Sequence, residues 1–145
     1  MGVIRRFLWY WLPPLAWMGL VFVLSAQPDL PHAPQPWLDR LVKKASHALA
    51  YSALAWLYLR ALRHRFRPQY SGPQTALRLV SFGLAVAYAI SDEYHQTFVA
   101  GRNGRLSDVA VDAAGACGAM LLDWWLERRR VLLRHPTSGR RPAAQ

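Results

Sequence analysis

The chain has 145 residues, 53% of them apolar and 12% aromatic, with seven Trp, so it is the size of one domain and too apolar for a disordered linker or acidic tail. Its 18 Lys and Arg against eight Asp and Glu give a formal charge of +10, which in a soluble protein would point to nucleic acid, so the placement of the charges decides the class. A single cysteine, Cys117, excludes an internal disulfide and a thiolate-rich zinc site, and says nothing about redox compartment.

The first apolar stretch, Phe7 to Leu24 (FLWYWLPPLAWMGLVFVL), carries no ionisable group except Tyr10 and, at about 1.5 Å per residue, nearly crosses a hydrocarbon core of about 30 Å. Pro13 and Pro14 are expected to kink it, with a neighbouring helix re-satisfying the freed carbonyls. Arg5 and Arg6 before it and Leu24-Ser25-Ala26 after it resemble the ends of a signal peptide. The run exceeds the usual h-region of roughly 7 to 15 residues and is broken by prolines, so it reads as a retained span over 7–25.

A connection at 26–42, with Pro28, Pro31, Pro34 and Pro36, leads to a second span at 45–61, interrupted by His47 and flanked by Lys43, Lys44 and Arg60, which can snorkel. A basic turn at 60–75 (LRHRFRPQYSGP at its centre) precedes a third span at 76–92, with Arg78 near its start. The fourth, at 106–126, contains Asp108, Asp112 and Asp123. Its run Ala113-Ala114-Gly115-Ala116-Cys117-Gly118-Ala119 lets another helix approach closely, with Cys117 expected as a small buried hydrophobe. The predicted fold is all-α: a polytopic, four-transmembrane-helix bundle over 1–127, followed at 128–145 by a basic cytoplasmic tail expected to be disordered.

An alternating path that starts inside places Arg5, Arg6, Arg60, Arg63, Arg65, Arg67, Arg78 and the six arginines from Arg128 to Arg141 on one side. Arg40, Lys43, Lys44, Arg102 and Arg105 fall on the other. Acidic residues segregate the opposite way, leaving only Asp123 and Glu127 inside. Thirteen basic against two acidic groups give +11 inside, and five against six give −1 outside. The positive-inside bias predicts a multi-pass membrane protein with both termini in the cytoplasm. Nucleic acid is excluded as a partner, because the arginines alternate with apolar spans and the tryptophans sit in or at the ends of those spans instead of lining a basic groove.

Ionisable groups near a span are costly, about 2.5 to 3.5 kcal/mol each at a helix centre, and need partners or a water-filled cavity. Here they collect at the outer ends of all four spans. Ser25 and Gln27 close the first. Lys43, His47 and Tyr51 share a face of the second at i, i+4, i+8, beside Lys44. The third ends in Ser91-Asp92-Glu93-Tyr94-His95-Gln96, followed by Phe98, Gly101 and Arg102, and the fourth opens with Asp108 and Asp112. Asp112 lies about 9 Å along the fourth helix and requires Arg102, Lys43, Lys44 or His47, or else a proton.

Asp92 and Glu93 read either as a general base or metal ligands, or as a pair tying the following loop to Arg102. A divalent cation held by His47, His95, Asp92, Glu93, Asp108 and Asp112 is chemically allowed, but no close-spaced signature such as HExxH exists; no metal is assigned and the cofactor stays open. Arg102 is suited to clamping a phosphate, with Gly101 as a turn or a close-approach position. Tyr51 reads as a buried hydroxyl bonded to a carboxylate, or as a proton donor. The ligand-binding candidates are Lys43, Lys44, His47, Tyr51, Asp92, Glu93, Gln96, Arg102, Asp108 and Asp112; the catalytic candidates are His47, Asp92, Glu93, His95 and Asp108.

The strings Lys44-x-x-His47-x-x-x-Tyr51, Ser91-Asp92-Glu93-x-His95-Gln96-x-Phe98-x-x-Gly101-Arg102 and Asp108-x-x-x-Asp112-x-x-Gly115-x-x-Gly118 closely resemble the VanZ-like family of small bacterial membrane proteins, over residues 25 to 118. The resemblance implies a protein of the bacterial cytoplasmic membrane, in a family named after a member associated with resistance to the glycopeptide teicoplanin. It supplies no reaction. The family carries Asn or Asp at the position of Asp112, and Asp here makes the site more acidic.

Three functions remain in view. The outer polar groups can bind an anionic lipid head group or a lipid-linked cell-envelope precursor, altering how envelope-directed antibiotics act. They can instead serve a membrane-embedded hydrolase or transferase on such a lipid, with His47 or His95 as base and Asp92 or Asp108 as its orienting partner. A proton-coupled transporter or oligomer subunit ranks last, because it needs polar groups along the whole depth. The oligomeric state is not readable.

Overall fold

The computed structural model describes residues 2–27, 35–66, 74–102 and 104–134, and these form an all-α bundle of four helices. They are α1 (Val3–Ser25), α2 (Pro36–Phe66), α3 (Gln74–Gln96) and α4 (Leu106–Arg134). Residues 28–34 of the proline-rich connection, 67–73 of the basic turn, and 135–145 of the tail lie outside the described residues.

Helix α1 runs through Pro13 and Pro14 as one helix, with Pro14 fully buried. Helix α2 starts at Pro36 instead of 45, for local reasons. Proline at the first helical position loses no hydrogen bond, Asp39 in the first turn complements the helix dipole, and Asp39 pairs with Lys43 one turn on at 2.7 Å. Helix α4 continues past 127 to Arg134, so the start of the expected tail is helical. There Arg128 lies over the Trp124 ring at 4.1 Å and Arg129 over Trp125 at 3.9 Å, an aromatic and basic belt of the kind found at membrane interfaces.

Helix α2 is the hub, packed on α4, α3 and α1, while α1 only touches α3. Its buried stripe of Tyr51, Leu54, Ala55, Tyr58, Leu59 and Leu62 meets small residues on its neighbours, Ser81, Ala85 and Ala89 on α3 and Ala116 on α4. The closest approach is at Gly115, where a Cβ would overlap the Ala48 carbonyl; Ser52 bridges that seam, its Oγ lying 2.7 Å from both the Ala48 and Gly115 carbonyls and sharing one proton between them. The small-residue run is thus a packing seam, as its composition suggests. Cys117 corrects the expectation made for it: it is exposed, because one residue along a helix rotates the side chain about 100° away from buried Ala116.

Outside the seams the surface is apolar, with Leu12, Leu15, Phe22, Val23, Leu79, Val80, Leu121 and Leu122 all exposed. Among the described residues, three helical stretches, Ile4–Ser25, Gln74–Gln96 and Leu106–Leu133, are long and apolar enough to cross a membrane. Helix α2 has the length but turns His47, Tyr51 and Tyr58 towards protein neighbours, and its central place removes the need for an all-round apolar surface.

At the end of the bundle opposite the motif residues lies an ionic network that the sequence reading treats only as topology charge. Arg63 donates from both Nη atoms to the two oxygens of Asp123 at 2.7 Å, and its Nε donates to Gln74. Arg78 donates from Nε to Asp123 at 2.8 Å and from Nη2 to Glu127. Between this network and the motif end lies the apolar layer of Leu54, Ala55, Leu59, Ala85 and Ala116, so buried polar groups gather at both ends, not in the outer half alone.

Candidate functional site

Periodicity places the motif residues. On α4, Asp112 heads a buried i, i+4, i+8 stripe continued by Ala116 and Met120. On α3, the stripe through Ala85 and Ala89 reaches Asp92, Glu93 and Gln96 in the last turns. On α2, the face of Tyr51 continues upward to His47. These three stripes face one another, and α1 delivers Ser25 beside them.

His47 Nδ1 stands 3.5 Å from Asp112 Oδ1, so of the partners expected for Asp112 the structure selects the imidazole. Neither atom forms a hydrogen bond among the described residues, and Asp112 is fully buried. Glu93 is buried too; it accepts from Gln96 Nε2 at 3.0 Å and from the Arg105 backbone N–H at 2.9 Å. Asp92 accepts from Ser25 Oγ at 2.7 Å, which ties α1 to α3, while its other oxygen is buried without a hydrogen bond. The buried Tyr51 hydroxyl likewise lacks a partner among the described residues, with its ring stacked 6.5 Å from His47 and tilted 6.1 Å from Tyr88.

The other candidates lie around this centre in different roles. Lys44 pairs with Asp108 at 3.2 Å, and Lys43 with Asp39. Arg102 is not the partner of Asp92 and Glu93; its guanidinium donates to the carbonyls of Gln27 (3.1 Å) and Leu24 (3.3 Å), capping the C-terminus of α1. His95 stacks on Phe22 at 4.3 Å, so its ring packs against α1, and its buried Nε2 has no hydrogen-bond partner among the described residues. Gly101, with φ of 77°, makes the turn that the sequence suggests, and Gly104 presses so closely on the Glu93 carbonyl that a Cβ has no room.

Of the sequence candidates, His47, Tyr51, Asp92, Glu93, Gln96 and Asp112 converge, while Lys43, Lys44, Arg102 and Asp108 form a rim and His95 lies to one side. Sequence reasoning did not assign Ser25 to Asp92. Its only signal was a polar residue closing an apolar span.

This arrangement of helix ends, with a half-buried imidazole among carboxylates, is carried by the residues that the family strings single out. The profile of the VanZ/LLP1 family matches residues 9–127, which takes in the site and most of all four helices. No curated protein and no solved structure matches the chain significantly. With the motif residues of three helices meeting at one centre inside a bundle of membrane-spanning character, the chain belongs to the VanZ/LLP1 family, and is a membrane protein.

Proposed function

We propose that the protein binds the phosphate-bearing head group of an anionic lipid or lipid-linked cell-envelope precursor at the motif end of the bundle, in the outer leaflet of the bacterial cytoplasmic membrane. Both termini then lie in the cytoplasm, in line with the charge asymmetry of the loops. The observation that carries this reading is the position of the polar centre. Buried Asp92, Glu93, Gln96 and Asp112 sit at helix ends beside exposed apolar residues, Phe22, Tyr94, Phe98 and Leu106, where lipid head groups meet acyl chains. Lys44 and Arg105 at the rim supply exposed cationic groups for a phosphate. A groove of about 760 Å³ between α2 and α4 runs from Leu49, about 3 Å along α2 from His47, past Trp56, Gly118 and Leu122 to Arg63, Asp123 and Arg130 at the far end, and its apolar upper part suits an acyl chain. Family membership supports a link to glycopeptide susceptibility.

Native mass spectrometry of the purified protein, released from nanodiscs of mixed phosphatidylethanolamine, phosphatidylglycerol and polyprenyl phosphate, tests this. Retention of a phosphate-rich lipid, weakened by Lys44→Glu together with Arg105→Glu, is expected. Indiscriminate retention overturns the reading.

One observation favours a second reading, a hydrolase or transferase on the same lipids. His47 turns Nδ1 toward Asp112 at 3.5 Å, leaving Nε2 as a base, which favours Asp112 over Asp92 or Asp108 as the orienting carboxylate. Product formation from a polyprenyl diphosphate, lost in His47→Ala, distinguishes it.

A further inference from the structure

We propose that His47, Glu93 and Asp112 bind one divalent transition-metal ion. They come from α2, α3 and α4, and their ligand atoms all lie within 4.8 Å of one another. An ion with bonds of about 2.1 Å separates its ligand atoms by about 3.0 Å along an octahedral edge, about 3.4 Å in a tetrahedron and about 4.2 Å across an octahedron. Small side-chain rotations bring the three groups onto such a shell.

A second observation is independent of this spacing. Asp112 is 0% exposed, and neither of its oxygens has a hydrogen-bond partner among the described residues. The Nδ1 of His47, which faces it at 3.5 Å, is equally unbonded. Buried carboxylates are normally satisfied, so two bare oxygens opposite a bare imidazole nitrogen mark the place of a shared positive partner.

The chain itself supplies the contrast. At the far end of the bundle two arginines, Arg63 and Arg78, balance Asp123 and Glu127 through direct bonds. At the motif end Asp92, Glu93 and Asp112 face one imidazole, while Lys44 pairs with Asp108 and Arg102 caps α1. A divalent cation supplies the charge these side chains leave uncompensated. Glu93 is already held by Gln96 and the Arg105 N–H, the kind of support that fixes a ligating carboxylate. One imidazole with two carboxylates and no sulfur suits Mn²⁺ or Zn²⁺ better than Mg²⁺ or Ca²⁺, which prefer oxygen alone. A phosphate at the rim would then meet a cation where it otherwise meets carboxylates.

The test uses the full chain in detergent, affinity tag removed, stripped with chelator and exchanged into chelator-free buffer, then titrated with MnCl₂ and separately with ZnCl₂. One ion per chain is expected. Asp112→Asn and His47→Gln should weaken binding by at least about 100-fold, since even supporting residues of a metal shell are worth about 10- to 100-fold. Asp39→Asn, a carboxylate at the start of α2, should bind within about a factor of two of the wild type. Pulsed EPR of the Mn²⁺-loaded wild type should show coupling to an imidazole nitrogen, which keeps the proposal testable if a variant fails to fold. Sub-stoichiometric uptake by the wild type, undiminished affinity in Asp112→Asn, or no nitrogen coupling overturns it. No lipid is added, so the outcome is independent of the lipid-binding reading.

Discussion

Gly115→Ala is the sharpest probe of how the fold holds the site. Gly115 lies one helical turn beyond Asp112 on α4, and the backbone it meets, Ala48, directly follows His47 on α2. The added methyl would meet the Ala48 carbonyl, backbone on both sides, so neither partner can rotate away and the helices must part. Overpacking of this kind costs about 1 to 3 kcal/mol. A separation of about 1 Å forfeits a quarter to a half of each dispersion contact along the seam. The bond from Ser52 to the Gly115 carbonyl weakens as well, and interhelical bonds in membranes average about 0.6 kcal/mol. Against this stands a helix-propensity gain of up to about 1 kcal/mol for replacing glycine. The balance is a loss of about 1 to 3 kcal/mol. Gly118→Ala is the matched control, because nothing lies within 4 Å of a Cβ there and only the propensity gain remains. Reversible SDS unfolding in mixed micelles, followed by far-UV circular dichroism, should rank Gly118→Ala at or above wild type and Gly115→Ala below both. Equal stability of the two variants would refute the tight α2–α4 crossing and with it the placement of His47 against Asp112.

Arg78→Ala should destabilise by about 1 to 3 kcal/mol in the same assay, since Arg63 still holds Asp123 while the partly exposed Glu127 loses its main partner, whereas Lys44→Ala, at a half-exposed pair, should cost less than about 1 kcal/mol. Ser25→Ala removes a charge-assisted bond to buried Asp92 and should cost about 1.5 to 3 kcal/mol, with partial recovery in the Ser25→Ala, Asp92→Asn pair; no change in Ser25→Ala would remove the α1–α3 tether. Cys117→Ser should be silent within about 0.5 kcal/mol, giving a cysteine-free chain in which Ser107→Cys and Gln35→Cys label with an impermeant maleimide from outside the cell membrane while Arg65→Cys does not; the reverse pattern refutes the proposed orientation. Mn²⁺ affinity should fall on acidification, because a proton competes with the ion for the imidazole of His47, and a pH-independent affinity would exclude the imidazole as a ligand.

Much of this architecture is legible in sequence because lipid imposes a simple rule: long apolar runs become helices, and the polar residues at their ends face inward. The run 7–25 and α1 coincide closely for that reason. The i, i+4 spacing of Asp108 and Asp112, and of His47 and Tyr51, also survives into the structure. The start of α2 was present in the signals of Pro36, Asp39 and Lys43, but a cluster of prolines just before it reads first as a loop. What periodicity cannot give is the choice of partner across helices. Whether Asp112 meets His47, Lys44 or Arg102 depends on the relative rotation and axial shift of α2 and α4, which the Gly115–Ala48 crossing fixes. Arg102 illustrates the same limit: adjacent in sequence to a cluster of carboxylates, it instead satisfies the carbonyls at the end of α1, distant in sequence. Arg78, read as a topology charge, is bonded inward because α4 presents Asp123 and Glu127 one turn apart on the facing side.

The two polar ends of the bundle differ in a way that bears on function. They share the same three helices and lie about 17 Å apart along α4, from Asp112 to Asp123. At the Asp123 end the acceptors are neutralised by guanidinium groups that keep their charge at any accessible pH and hold a fixed fork geometry, a construction that fastens helices together and occupies both oxygens of Asp123. At the Asp112 end the facing group is an imidazole, which can give up its proton and present a lone pair, and the carboxylate opposite it keeps both oxygens unbonded. An arginine at position 47 would repeat the first solution and complete the bonding within the protein. Histidine leaves it incomplete, so a partner that bound there would stabilise this end, and by mass action that stabilisation would follow its concentration. The ion or head group that completes the site should therefore raise the unfolding midpoint of the wild type in proportion to the logarithm of its concentration, and do so far less in a His47→Arg variant, whose guanidinium already fills the position.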